Sequence, residues 1–207
     1  MTTTLDDRGA TARMDSARDR LLRILVETGS FRISETPFAL ASGAMSNYYV
    51  DCKVGLSHSR MREIVGQLIL ERIAGLDIGA VGGLIIGAYP IAIAVSDAAS
   101  KSGKQIRAFV VRKDPKKHGL KKLLEGDVQA GDRVVIVDDV ITSGGSTIEA
   151  IQKSRDAGLE VVRAVAIIDR QEQDGRKNIE AENVPFEALC TLDELQAMRE
   201  VLAHRER

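Results

Sequence analysis

The strongest constraint on the fold is the alternation of short runs rich in valine and isoleucine with longer amphipathic segments. Runs of this composition are typical of strands that are buried on both faces of a parallel sheet. Segments in which apolar residues recur at helical spacing and which end at a glycine are typical of the helices that cover such a sheet. We therefore predict an α/β fold with a central, mostly parallel sheet and helices on both faces.

The same patterns predict the individual elements. A last helix is predicted to open at a capping box formed by Thr191 and Glu194. Strands are predicted at the four runs IGAVGGL (78–84), IRAFVVR (106–112), RVVIVDD (133–139) and EVVRAVAIID (160–169). Helices are predicted at about 15–28, about 61–73, within 90–103 and at about 146–157.

Length and composition limit the classes of protein that the chain can belong to. Its 207 residues, 44% of them hydrophobic, are enough for one core, so we predict a single domain over 15–207 and a disordered polar tail over 1–14. The net charge of -1 disfavours binding to nucleic acid. No apolar stretch reaches the roughly 18 residues of a membrane span, and no apolar signal core is present, so no membrane contact is expected. Cys52 and Cys190 match neither a metal-ligand nor a disulfide spacing, and a cytoplasmic protein is expected.

The run VVIVDDVITSGGST, residues 134–147, predicts an anion site. Its strand delivers Asp138 and Asp139 to the carboxyl edge of the sheet, where the ligands of parallel α/β folds bind. Residues 142–147 then offer backbone N–H groups, two glycines and hydroxyl donors that lead into a helix N-terminus. The lysine of a nucleotide-hydrolysing P-loop is absent, so this loop suits a terminal phosphate monoester.

The two carboxylates of this run would repel a phosphate, so they must serve another part of the ligand. Two partners for the carboxylates remain possible, namely vicinal sugar hydroxyls and a metal ion. A ribose 5-phosphate fits the carboxylates and the loop together. A purely structural alternative is that Asp138 and Asp139 only end a strand and that TSGGST only forms a turn.

The whole run 134–147 resembles the signature of the type I phosphoribosyltransferases, which bind phosphoribosyl pyrophosphate (PRPP). The resemblance implies the type I phosphoribosyltransferase fold, with Asp138 and Asp139 as catalytic residues that hold the ribose hydroxyls. The residues of this run that the resemblance implies as PRPP contacts are Asp138, Asp139, Val140, Ile141, Thr142, Ser143, Gly144, Gly145 and Ser146.

A second motif lies in the charged segment VVRKDPKKHGLKKLLEG, residues 110–126. Pro115 and Gly119 argue against a continuous helix and favour a mobile loop, although a charge run of this kind is more often plain solvated surface. The order Arg-Lys-x-x-Lys-x-His-Gly resembles the catalytic loop of orotate phosphoribosyltransferases, which closes over the active site of a dimer partner. The residues implied as PRPP and pyrophosphate contacts are Arg112, Lys113, Lys116 and His118, the last three also as catalytic residues, whereas Lys117 matches no motif position.

Two further segments resemble parts of the same family but lack its cations. FALASGAMSNYYVDCK (38–53) resembles the hood over the base, which implies hood elements near 31–54, and Ala44 and Met45 stand where many members carry a lysine or arginine. GGLIIGAYPIA (82–92) resembles the pyrophosphate loop, and Gly87 belongs to a stretch in which some relatives carry a lysine. The alternatives are an ordinary surface hairpin and glycines that only permit tight packing.

The run IIDRQEQDG, residues 167–175, places Arg170 at the same predicted edge. Arginine offers a planar, bidentate match to a carboxylate, which orotate has and purine bases lack. The resemblance implies that Arg170 and Thr142 contact orotate. The alternative is an exposed arginine in a polar turn.

The resemblance covers nearly the whole chain after the tail. It implies transfer of the phosphoribosyl group from PRPP to orotate in pyrimidine synthesis, with Mg²⁺ as cofactor and a homodimer that shares the Arg112–His118 loop across subunits. No residues are predicted as metal ligands from the sequence. Two alternatives stay open: a type I transferase for another base, and a regulator that senses PRPP without catalysis.

Overall fold

The computed structural model describes residues 16–39, 45–114 and 123–205. The predicted tail therefore lies outside the described residues, as does the turn of the predicted hairpin. The strands are β1 (Phe31–Ala39), β2 (Met45–Val50), β3 (Ala80–Leu84), β4 (Arg107–Val111), β5 (Leu124–Glu125), β6 (Arg133–Ile141), β7 (Glu160–Asp169) and β8 (Phe186–Thr191). The helices are α1 (Ala17–Glu27), α2 (Cys52–Leu56), α3 (Ser59–Arg72), α4 (Ala88–Lys101), α5 (Gly145–Asp156), α6 (Gly175–Glu180) and α7 (Leu192–Arg205).

The central sheet has six strands in the order β5-β4-β3-β6-β7-β8. All neighbours pair in parallel except β4 and β5, which are antiparallel. One face of the sheet packs against α1, α3, α4 and α7, and the other packs against α5 and α6. The prediction of a mostly parallel sheet with helices on both faces is confirmed.

The predicted helices and strands are present within a few residues of their expected bounds. The capping box is also confirmed, because Thr191 N donates to Glu194 Oε2 at 2.9 Å and Glu194 N donates to Thr191 Oγ1 at 3.4 Å. The sequence patterns missed β8, whose residues FEALCT contain neither valine nor isoleucine, and the short elements α2, β5 and α6. No helix in the described part of the chain is long and apolar enough to cross a bilayer.

β1 and β2 form a separate two-stranded antiparallel sheet in the segment predicted as the hood, and we call this sheet the hood. Phe31 pairs with Val50 and Ile33 with Tyr48, so the two strands predicted around Ser42 and Gly43 are present, and β1 begins earlier than predicted. Asp51 follows β2, and its N–H donates to Ser30 O at 2.8 Å. This bond ties the end of the hairpin to its beginning and leads the chain directly into α2.

Candidate active site

The carboxyl ends of the parallel strands collect the predicted site residues at one edge of the sheet. β3 leads into the loop before α4, β4 ends just before Arg112, and β6 pairs with β7 as far as Ile141 and Asp169. The Arg170 N–H donates to Ile141 O at 2.9 Å, which places Arg170 beside the end of β6 and next to Thr142. Asp138 and Asp139, here called the acid pair, residues 142–147, here called the phosphate loop after their predicted ligand, and Arg170 therefore share one edge, as the sequence predicted.

Asp138 is the buried member of the acid pair, with a relative exposure of 7%. Its Oδ1 accepts from Asp139 N at 2.9 Å, and its Oδ2 accepts from Thr147 Oγ1 at 2.7 Å. Burial, together with the neighbouring Asp139 carboxylate, raises the pKa of Asp138 to about 7. A perturbed carboxyl at the ligand edge of a sheet is typical of a functional site.

Asp139 is the partly open member of the pair. Its Oδ1 accepts from Val140 N at 3.0 Å, and a Cβ added at Gly87 would lie 2.7 Å from the same Oδ1. On the hood side, Lys53 Nζ lies 3.9 Å from Asp139 Oδ2. The loop after β3, the acid pair and the hood therefore meet at this carboxylate.

The glycines of the stretch 82–92 have two different roles. A Cβ at Gly83 would collide with Val137 O and lie 2.7 Å from Ala88 Cβ, so Gly83 allows β3 to pack closely against β6 and α4. Gly87 instead leaves room for the Asp139 carboxylate. Both glycines therefore permit a close approach, at Gly83 to neighbouring elements of the core and at Gly87 to a carboxylate of the acid pair.

The phosphate loop follows β6 and ends in the first turn of α5. Gly144 has a φ of +81°, and a Cβ there would lie 2.9 Å from Ile179 Cγ1 and 3.0 Å from Gly175 O, so glycine is needed for both conformation and space. Gly145 and Ser146 are exposed at the helix N-terminus. Their backbone N–H groups are available to an anion.

Thr147 differs from the other hydroxyl residues of this loop. Its side chain is buried and its hydroxyl is bonded to Asp138. The hydroxyl thus connects the helix N-terminus to the acid pair, a role that the sequence pattern did not indicate. The two residues lie nine positions apart across a strand end, a loop and a helix start, and no strand or helix period links them.

Arg112 and Lys113 lie at the start of the charged segment, next to the same edge. Arg112 Nη1 donates to Glu125 Oε1 at 2.9 Å, and Lys113 is exposed. Lys153 of α5 donates to the carbonyl oxygens of both residues and so ties the base of the segment to the phosphate-loop helix. Lys116 and His118 lie outside the described residues.

Arg170 is buried, with a relative exposure of 4%, so the alternative of an exposed arginine in a polar turn is wrong. Its Nε and Nη2 donate to the two carboxylate oxygens of Glu172 at 3.0 and 3.1 Å. Its Nη1 donates to Tyr48 O at 3.1 Å, and its Nη2 donates to Ser46 Oγ at 3.1 Å. The guanidinium therefore connects the sheet edge to the hood.

Comparison with known proteins agrees with this arrangement. Residues 83–191 match the model of the phosphoribosyl transferase domain. The chain is 39% identical over 179 residues to the orotate phosphoribosyltransferase of Aquifex aeolicus, and the match covers 86% of this chain and 97% of that protein. The chain belongs to the orotate phosphoribosyltransferase family.

Solved structures of this family are similar along most of the chain. The crystal structure of orotate phosphoribosyltransferase from Mycobacterium tuberculosis in complex with Fe(III) dicitrate is 34% identical with a TM-score of 0.75, covering 87% of this chain and 99% of that one. The same enzyme in complex with PRPP is 31% identical with a TM-score of 0.70, covering 88% of this chain and 95% of that one. The fold predicted from the phosphate-loop signature is thus the fold of the orotate phosphoribosyltransferase family.

Proposed function

We propose that the protein transfers the 5-phosphoribosyl group from PRPP to orotate, giving orotidine 5′-monophosphate and pyrophosphate in pyrimidine biosynthesis. The observation that carries the proposal is the contact between Asp138 and Thr147, which joins a carboxylate pair to a helix N-terminus. Such a pair suits the hydroxyl donors of a ribose, and such a helix N-terminus suits its 5-phosphate. Membership of the orotate phosphoribosyltransferase family supports the same reading.

The proposed mechanism holds the sugar at both ends. Asp138 and Asp139 accept hydrogen bonds from the ribose hydroxyls, and the amides of residues 142–146 bind the 5-phosphate. With both ends held, C1 moves from the pyrophosphate oxygen to the orotate nitrogen while the rest of the sugar stays fixed. The C1–O bond breaks and its electron pair leaves with pyrophosphate. The ring nitrogen of orotate forms the new C1–N bond and gives up its proton to the departing pyrophosphate or to water.

Cations must stabilise the pyrophosphate as its negative charge grows in the transition state. Arg112 and Lys113 stand at this edge of the sheet, and we assign the same role to Lys116 and His118, which lie outside the described residues. A cation that binds the pyrophosphate more strongly in the transition state than in the ground state raises the turnover number. The ion pair between Arg112 and Glu125 would have to loosen for Arg112 to take part.

Mg²⁺ fits the residues present. This ion is commonly held by one or two carboxylates together with substrate phosphates, and Asp138 and Asp139 are carboxylates at the proposed PRPP site. Among the described residues no three His, Cys, Asp or Glu side chains are grouped as a metal site, so the ion would be carried largely by the substrate. When bound, Mg²⁺ would offset the negative charge of the pyrophosphate.

We assign orotate to the space between the hood and residues 142 and 170. Arg170 already points its guanidinium toward β2, and Glu172 fixes the plane of that group. A guanidinium held in this way can present a remaining N–H donor to a carboxylate or carbonyl of the base. Thr142, which is half-buried beside it, offers a hydroxyl.

A homodimer belongs to the same proposal. Ile85, Ile86, Tyr89 and Ile93 form an apolar face before and along the first half of α4, with exposures of 36–66%. Exposed apolar patches of this kind mark protein interfaces. Because the loop of Gly87 also contacts Asp139, a second copy bound here would lie close enough to share its charged loop. Replacing Ile86 by Asp should shift the protein to monomers in sedimentation experiments.

A cytoplasmic location also belongs to this proposal. Cys52 and Cys190 are both free and buried. Burial raises the pKa of both thiols, so neither is a reactive thiolate at neutral pH. Two unpaired cysteines are compatible with a reducing compartment.

The direct test is the loss of orotate absorbance on addition of PRPP, with and without Mg²⁺. The proposal expects orotate to be consumed only when PRPP and Mg²⁺ are both present. Consumption of adenine, guanine or hypoxanthine in its place would favour a transferase for another base. Binding of PRPP without turnover of any base would favour a non-catalytic sensor and contradict the proposal.

A further inference from the structure

Lys53 lies beside the acid pair although the sequence patterns gave it no role. It belongs to the first turn of α2, directly after the hood. Its Nζ lies 2.8 Å from Asp51 Oδ1 and 3.9 Å from Asp139 Oδ2. The Lys53 side chain is 53% exposed and that of Asp139 is 17% exposed, so a cation open to solvent contacts a mostly buried carboxylate.

The position of Lys53 is fixed by its neighbours on α2. Asp51 caps the helix by accepting from Lys53 N at 3.1 Å. Cys52 is fully buried, with its Sγ 3.9 Å from Asp139 O, so the helix packs directly on the backbone of the acid pair. A lysine that is partly open to solvent carries its charge at neutral pH.

The Asp139 carboxylate is bounded on two sides. Its Oδ1 accepts from Val140 N and lies against Gly87, where even a methyl group would collide with it. Its Oδ2 is the oxygen that faces Lys53. At 3.9 Å Lys53 acts through its charge, not through a hydrogen bond, on the carboxylate oxygen that accepts no backbone N–H.

We propose that Lys53 is a positioning residue for sugar binding, which holds Asp139 Oδ2 in place for a ribose hydroxyl and offsets the charge of the acid pair beside an anionic ligand. This inference rests on the proposed function, because it requires Asp139 to bind the ribose of PRPP. The physical need is clear from the charges: two adjacent carboxylates would repel a ligand that carries a phosphate and a pyrophosphate. Lys53 supplies a compensating charge from the hood side.

The test compares Lys53→Met and Lys53→Arg with the matched control Lys177→Met. Lys177 also pairs with an aspartate at the start of a short helix, at 2.7 Å from Asp174 Oδ1, and its exposed side chain has no described contact with Asp138 or Asp139. PRPP affinity is measured by calorimetry with Mg²⁺, and ribose 5-phosphate affinity by competition against PRPP. Lys53→Met should weaken both ligands by a similar factor of about 10, Lys53→Arg should restore most of the affinity, and the control should match the wild type.

A second comparison separates a positioning role from a direct ligand contact. If Lys53 acts through Asp139, adding Lys53→Met to Asp139→Asn weakens PRPP little further, because the two residues form one unit. Full additivity of the two effects would overturn the proposal, and so would a loss confined to PRPP, which would mean that Lys53 contacts the pyrophosphate itself. Lys53→Gln replaces Lys53→Met if the latter does not fold.

The controls also separate this inference from the proposed function. If the wild type binds no PRPP, the proposed function fails. If the wild type and Lys177→Met bind PRPP and Lys53→Met binds it equally well, only the inference on Lys53 fails.

Discussion

Thr147 Oγ1 donates a 2.7 Å hydrogen bond to Asp138 Oδ2, which joins the first turn of the phosphate-loop helix to the buried acid of the pair. The two groups that a sugar phosphate needs, a hydroxyl acceptor and a phosphate cradle, are thereby held as one unit. A ligand bound at one end is placed correctly for the other. The contact also makes the stability of this edge sensitive to substitutions at either residue.

Replacing Thr147 by Val should destabilise the protein, because Asp138 Oδ2 loses its donor in a buried site. The expected loss in free energy of unfolding is about 1–3 kcal/mol. Thr147→Ser keeps the hydroxyl and should lose less. Urea unfolding of the wild type, Thr147→Val and Thr147→Ser at pH 8 measures these losses. Equal stability of Thr147→Val and the wild type would contradict the account.

The raised pKa of Asp138 predicts a pH dependence of stability. The folded protein keeps Asp138 protonated up to a pKa of about 7, whereas the unfolded chain releases that proton near its ordinary value of 3.8. Between these values the folded state binds more protons, so the contribution of Asp138 to stability falls as pH rises from about 4 to 7. Asp138→Asn cannot titrate. Subtracting its urea-unfolding free energies from those of the wild type should give a difference that declines across this window, and a flat difference would refute the prediction.

Substitutions at Arg170 and Glu172 should have different main effects. Changing Arg170 should weaken the use of orotate, and changing Glu172 should lower the free energy of unfolding. Arg170→Lys cannot keep the contacts with Glu172, Ser46 and Tyr48 O and also present a donor to orotate. We therefore expect the KM for orotate to rise at least about 10-fold while the KM for PRPP changes little. Glu172→Ala leaves a buried arginine without its carboxylate and should cost about 3–5 kcal/mol of unfolding free energy. Steady-state kinetics and urea unfolding measure the two effects. An unchanged orotate KM in Arg170→Lys would remove Arg170 from the base site.

Gly87→Ala should weaken PRPP binding without unfolding the protein. The added Cβ would lie 2.7 Å from Asp139 Oδ1, so the carboxylate has to move. Gly75→Ala is a control for the added methyl group, since a Cβ there meets nothing within 4 Å, although its φ of +82° adds backbone strain. A PRPP affinity in Gly87→Ala equal to that of the wild type would show that the position of Asp139 does not matter.

Removing the positive charge at Lys113 or Lys116 should lower turnover on the order of 10²-fold, by analogy with the loss of one preorganised donor. The effect belongs to the transition state, so kcat should fall more than PRPP affinity. Lys117→Ala is a control in the same segment, because Lys117 matches no motif position. Near-normal kcat in both Lys113→Ala and Lys116→Ala would exclude the charged loop from catalysis.

The sequence predicted the positions of those site residues that directly follow a strand along the chain. Asp138 and Asp139 follow a valine and isoleucine run, and parallel pairing of such runs brings their carboxyl ends together. The contacts of Arg170 with Ser46 and of Lys53 with Asp139 join residues 124 and 86 positions apart, and no local period encodes such distances. The buried pairing of Arg170 with Glu172 was missed for another reason: the local sequence DRQEQDG is polar and looks exposed. β8 was missed because its core contacts come from phenylalanine, leucine and cysteine.

The central claim is that one edge of the sheet holds PRPP at both ends of its ribose. A crystal structure of the protein with PRPP and Mg²⁺ tests it most directly. The account predicts the ribose hydroxyls within hydrogen-bond distance of Asp138 and Asp139, and the 5-phosphate on the amides of residues 142–146. PRPP bound at any other place, or bound here with its ribose hydroxyls turned away from both carboxylates, would contradict it.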